Sequence, residues 1–174
     1  MTIALVFPGQ GSQAVGMGKA LADTFIPARQ VFEEVDAALG ERLSDTIWNG
    51  PAETLTLTEN AQPALMTVSI AGLRVLEQQA GLDIAQDIAF VAGHSLGEYS
   101  ALAAARAISV ADAARLLRIR GRAMQKAVPV GVGAMAALIG LELEEARAIA
   151  AEASSAGPKR WCRAPRRRWG SSIF

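Results

Sequence analysis

The chain has 174 residues, 51% hydrophobic and 20% charged, enough for one domain with a substantial core. No apolar run is long enough to span a bilayer, and the single cysteine, Cys162, excludes an internal disulfide. The zero net charge hides an asymmetry. Six of the 17 basic residues fall between Pro158 and Phe174, where no acid occurs, leaving 11 bases against 17 acids before them.

In chain order, "TIALVF" (Thr2–Phe7) predicts a buried strand ended by Pro8-Gly9, and it is too short to read as a signal peptide. With one cysteine and no export signal, a reducing cytoplasm is the expected compartment. Ile26–Leu39 has helical spacing and stops at Gly40. Asn60 reads as an N-cap. From Ala61 the apolar residues follow helical spacing to Gly81, on two stripes, so this helix is expected to be covered on two sides. "IAFVAG" (Ile88–Gly93) is a continuous apolar run, as in a fully buried parallel strand. The chain turns helical after Ser95. Ser109 with Asp112 resembles a capping box opening a helix to about Val128. "AMAALIGL" (Ala134–Leu141) is a strand candidate, and Glu142–Ala153 a helix with acids in its first turn. Alternating strands and helices make the class α/β. The remaining residues hold two of the three tryptophans and continue no period, so 158–174 is expected to be a disordered basic tail.

Four features could carry chemistry. Gly93, Ser95 and Gly97 form G-x-S-x-G between a buried strand and a helix. There a sharp turn exposes the serine oxygen, and the N–H of Leu96 faces a developing oxyanion. The plainer alternative is a helix-capping serine. "FPGQGSQ" (Phe7–Gln13) fits a loose dinucleotide pattern, but the acids about 20 residues on, Glu33, Glu34 and Asp36, lie in predicted helix. That loop is either an ordinary turn or a second source of oxyanion N–H groups. Arg120 falls on the apolar face of Ala113, Leu116, Leu117 and Met124, whereas Arg115, Arg118, Arg122 and Lys126 fall on the opposite, solvated face. An arginine among core positions either grips a carboxylate or snorkels to water. His94, the only histidine, should point away from the serine as a hydrogen-bonded structural residue. Paired histidines or cysteines are absent, so no metal site is expected.

The stretches "FPGQGSQ", "AQPAL" (Ala61–Leu65), "GHSLGEYSAL" (Gly93–Leu102), "RGRAMQ" (Arg120–Gln125) and "GAMAALIGL" (Gly133–Leu141) occur in one order. Together they resemble the malonyl-CoA:acyl-carrier-protein transacylase family of fatty acid biosynthesis, up to about Gly157. The resemblance implies an incomplete α/β-hydrolase-like core over 1–128. It implies the first βα unit of an inserted ferredoxin-like subdomain over 129–157. Ser95 would be the acyl-accepting nucleophile, the N–H groups of Gln10 and Leu96 the oxyanion hole, and Arg120 the grip on the malonyl carboxylate. The implied partners are a coenzyme A thioester and acyl carrier protein, with no cofactor, no metal and no membrane.

The family's general-base histidine lies downstream, and this sequence has no histidine after His94. The expectation is a truncated or frame-shifted chain, poorly soluble and with little activity. Two other readings stay open. One is a serine esterase, which shares the elbow but has no use for Arg120. The other is a non-enzymatic fragment whose basic tail binds nucleic acid, a weak signal without a motif.

Overall fold

Strand β1 (Ile3–Phe7) pairs in parallel with β2 (Ile88–Gly93), setting Leu5 opposite Val91 and Phe7 opposite Gly93. A parallel pair needs a crossover, and here it consists of helices. These are α1 (Lys19–Thr24), α2 (Ile26–Leu39), α3 (Leu43–Asn49), α4 (Ala52–Thr56), α5 (Thr58–Ala80) and α6 (Ile84–Asp87). Then come α7 (Gly97–Ala104), α8 (Val110–Ala127) and α9 (Leu143–Ser155). This computed structural model describes residues 2–127 and 140–155, and the chain divides into two units, Met1–Ala127 and Val128–Phe174. It is a mixed α/β protein, mostly helical among the described residues. Among the described residues no helix is long and apolar enough to cross a membrane.

Several boundaries follow from local chemistry. Gly40 and Gly81 end α2 and α5 in the left-handed conformation, at φ 66° and 67°, which glycine adopts without a Cβ penalty. Ser109 and Asp112 form the expected box. The Asp112 N–H donates to the serine oxygen at 3.0 Å, and the hydroxyl donates back to the carboxylate at 2.7 Å. These bonds, with that of Arg115, hold the Asp112 carboxyl below the usual aspartate value.

Helix α5 is the centre of the first unit. Every residue from Ala61 to Thr67 is buried, and α2, α7 and α8 pack around it. It starts earlier than the apolar spacing indicates, with Leu57 at the N-cap. Asn60 is therefore inside the first turn and caps nothing. Its amide instead donates to the Thr54 carbonyl at 2.8 Å, linking α4 to α5.

Two further expectations are corrected. The sequence predicts a buried first strand and a fully buried second one, yet Ala4, Val6, Phe90 and Ala92 form an exposed face. Val6 is 76% exposed and Phe90 69%. The opposite face is covered only toward the C-terminal end of β1, where Phe7 is buried and Leu5 and Val91 pack at the edge of the core, while Ile3 is exposed. An apolar run states that a strand suits burial, not that a covering layer is present.

The buried face of α8 is also rotated from the expected one. It comprises Val110, Ala113, Ala114, Leu117, Arg118 and Gly121, a regular three-four spacing. Leu116 is 44% exposed, and Arg118, expected in solvent, is buried. Gly121 explains the rotation. A Cβ there would lie 2.5 Å from the Cα of Glu59 and 2.8 Å from the Thr58 carbonyl oxygen, so only glycine lets α8 meet the start of α5.

In the second unit, α9 opens with the Glu142 N–H donating to the Glu145 carboxylate at 3.0 Å. An ion pair joins Arg147 to Glu144. The strand expected at Ala134–Leu141 lies outside the described residues, apart from its last two positions.

Candidate active site

Ser95 stands at the turn between β2 and α7 with φ of 56°, a left-handed conformation that a serine adopts only when its surroundings impose it. The two flanking glycines permit the tight turn that holds it. A Cβ on Gly93 would fall 1.9 Å from the carbonyl carbon of Gly97. A Cβ on Gly97 would fall 2.5 Å from the carbonyl oxygen of Phe7. Strand, turn and helix thus meet with no room for any side chain at either position. The result is an exposed Ser95 above a buried Leu96, the geometry of a nucleophile elbow.

The loop after β1 lies alongside. Phe7 accepts a 3.1 Å hydrogen bond from the His94 N–H, and the Gln10 amide donates to the Thr58 hydroxyl at 3.3 Å. The backbone N–H groups of Gln10 and Leu96 donate to no backbone carbonyl among the described residues. Gly9 is the contact point with His94, since a Cβ on Gly9 would sit 2.3 Å from the imidazole Nδ1. The His94 ring therefore rests on this loop, exposed, and makes no hydrogen bond among the described residues. The expected hydrogen-bonded structural role is corrected to one of packing against the Gly9 backbone.

Arg120 reaches the serine. Its Nη2 donates to Ser95 Oγ at 3.0 Å and its Nη1 to the Gln62 carbonyl oxygen at 2.6 Å. It sits at the margin of the buried face of α8, half-buried, where the helix crosses the first turns of α5. Gln62 is itself fully buried, and its amide nitrogen donates to the Met124 thioether at 3.3 Å. A buried amide needs partners, and its carbonyl end is turned on the guanidinium. A fixed cation thus stands next to an exposed serine oxygen, at the start of a helix. That arrangement can hold an anionic acyl group as it forms an ester with the serine.

Of the residues singled out in the sequence, Ser95 and its neighbour Leu96 lie with Arg120, and the Gln10 loop adjoins them through Gly9 and His94. Sequence reasoning missed Gln62. The available signal was a polar residue between Ala61 and Ala64, in a segment whose neighbours are all core. It also misplaced Arg118. No group of three or more His, Cys, Asp or Glu residues that could hold a metal ion occurs among the described residues.

An exposed elbow serine thus stands beside a braced arginine, and comparison with known proteins identifies the family. The chain belongs to the acyl transferase domain family, which it matches over residues 4–156. More particularly, it is 50% identical over 155 residues to the malonyl CoA-acyl carrier protein transacylase of Bacillus subtilis, covering 89% of this chain and 47% of that protein. The crystal structure of acyl-carrier-protein S-malonyltransferase from Bartonella henselae superposes with a TM-score of 0.80 at 60% identity, over 90% of this chain and 50% of that one. A malonyl-transacylase in complex with the acyl carrier protein of a type II polyketide synthase superposes with a TM-score of 0.77 at 42% identity, over 90% and 49%. The chain spans about half the length of the relatives it matches.

Proposed function

We propose that this chain carries the acyl-accepting half of a malonyl-CoA:acyl-carrier-protein transacylase. Ser95 Oγ attacks the thioester carbonyl of malonyl-CoA, the carbon–sulfur bond breaks, and coenzyme A leaves as its thiol with the serine proton. The phosphopantetheine thiol of acyl carrier protein then attacks the malonyl-serine ester and Ser95 regains its proton. The N–H groups of Gln10 and Leu96 hold the oxyanion of each tetrahedral intermediate. Arg120, released from Ser95 Oγ, pairs with the free malonyl carboxylate. The step uses no cofactor besides the thioester and the carrier.

A serine is a weak nucleophile without a base, and His94, the only histidine of the sequence, packs against Gly9 and is not assigned that role. In this reading, unit one is the N-terminal part of an α/β-hydrolase-like core, and α9 belongs to the first βα unit of a ferredoxin-like insertion. The setting is cytoplasmic, which suits a sequence with a single cysteine.

The observation that carries the reading is the pair of Arg120 contacts, to Ser95 and to the buried Gln62. A simple esterase has no use for a braced cation at its nucleophile. The test is incubation with malonyl-CoA or acetyl-CoA, followed by peptide mass spectrometry of the Ser95 segment. Malonyl should load in preference, Ser95→Ala should remove the adduct, and Arg120→Ala should cut the malonyl preference about 10–100-fold, as loss of a charge-assisted pair does. Equal loading of both acyl groups, unaffected by Arg120→Ala, would sink the carboxylate role and favour an esterase.

A further inference from the structure

Helix α8 buries a guanidinium in the middle of an otherwise apolar face. Arg118 is 6% exposed, packed between Ala114, Leu117 and Gly121. Its Nη1 donates to the Asn60 side-chain oxygen, and its Nη2 forms an ion pair with Glu41. Its Nε has no partner among the described residues. Burial lowers its pKa and the Glu41 carboxylate opposes that shift.

A buried, incompletely satisfied ion pair is a poor source of stability, because an apolar side chain of similar volume does as well. What the charge adds is a fixed direction. Asn60 also donates to the Thr54 carbonyl, so the first turn of α5 is held from two sides. Gln62 lies two residues further along that turn, and Arg120 lies two residues beyond Arg118. The two helices are thus joined by two arginine–amide rungs, Arg118 to Asn60 and Arg120 to Gln62, beside the close approach at Gly121. The rungs sit two residues apart on both helices, so a shift of the first turn of α5 would carry Gln62 with Asn60.

We propose that Arg118 is a positioning residue that, through Asn60 and the first turn of α5, sets the place of Gln62 and so aims Arg120 at the acyl site. The proposal rests on the carboxylate-gripping reading of Arg120 given above. It concerns a residue that touches neither the serine nor the acyl group.

The test uses the full chain with Arg118→Met, Arg118→Lys and Asn60→Ala, the last cutting the rung while leaving Arg118 its pair with Glu41. Circular dichroism identifies the variants that fold. Phenylglyoxal labelling, mapped by peptide mass spectrometry, reports the accessibility of Arg120 without requiring activity. In folded Arg118→Met or Asn60→Ala, labelling of Arg120 should rise about tenfold, as expected for coupled neighbours, while Arg115 labels at the unchanged rate. The ratio of malonyl to acetyl loading at Ser95 should fall by a similar factor, with acetyl loading retained and Arg118→Lys in between. Unchanged Arg120 labelling in folded variants would overturn the proposal, as would an equal loss of both acyl groups. If the unsubstituted chain loads both acyl groups equally, the carboxylate-gripping reading fails; if it loads neither, as a serine without a base can, the labelling of Arg120 alone decides the role of Arg118.

Discussion

The β1–β2 pair is apolar throughout and the α5–α8 pair carries many polar and charged residues, yet it is the facing sides of the helices that are enclosed. The helices are enclosed, with Met66, Ile70 and Leu117 at 0% exposure. The strands keep one apolar face in water. Burial is therefore decided by what lies opposite, and in this chain the helices supply their own cover. The site lies at the seam, with the serine supplied by the sheet side and the cation by the helix side. Only the second of these is braced by buried partners.

This contrast can be broken most severely at the seam. Gly97→Ala places a Cβ against the Phe7 and Pro8 backbone, where nothing flexible can yield. We expect a loss of about 4 kcal/mol or more, which a small unit cannot absorb, read as loss of the cooperative thermal transition. Leu117→Ala tests the enclosed helices and should cost about 2–5 kcal/mol in urea unfolding, from lost transfer energy and a residual cavity. Phe90→Ser makes a comparable change on the open sheet face and should cost under about 0.5 kcal/mol. Equal costs for the two would erase the distinction between the regions.

Two smaller effects sharpen it. Ser95→Gly relieves the left-handed strain and should stabilise the fold by about 1 kcal/mol while abolishing acyl loading. Asp112→Asn weakens the box that opens α8. Because the Asp112 carboxyl is held below its usual value, its contribution is present above the unfolded pKa, near 3.8, and is lost as pH falls through the folded one. The variant should therefore differ from the parent at pH 6 and converge with it at the lowest pH where both remain folded. A constant difference at all pH values would assign the effect to helix propensity instead.

Much of this was legible in the sequence because the signals were local. Gly40 and Gly81 stop their helices for a reason carried by one residue. Ser109 and Asp112 cap within one turn, and the glycines of the elbow are separated by a fixed spacing. The errors concern long-range facts. The face of α8 could not be phased from its own apolar residues, because Gly121 outweighs Leu116 only once Glu59 is known to lie against it. Arg118 reads as a solvated residue for the same reason, since its partners Asn60 and Glu41 are 58 and 77 residues away in sequence. Gln62 is the converse case, a polar residue whose purpose appears only when Arg120 arrives from another helix.

The elbow glycines also bear on heredity. At Gly93 and Gly97 the atoms nearest a new Cβ are backbone, so no compensating change in a neighbouring side chain can make room for it. A saturation library should therefore show both as intolerant sites with no second-site suppressors. Gly40, where a Cβ would meet nothing, should accept asparagine and other residues that tolerate positive φ.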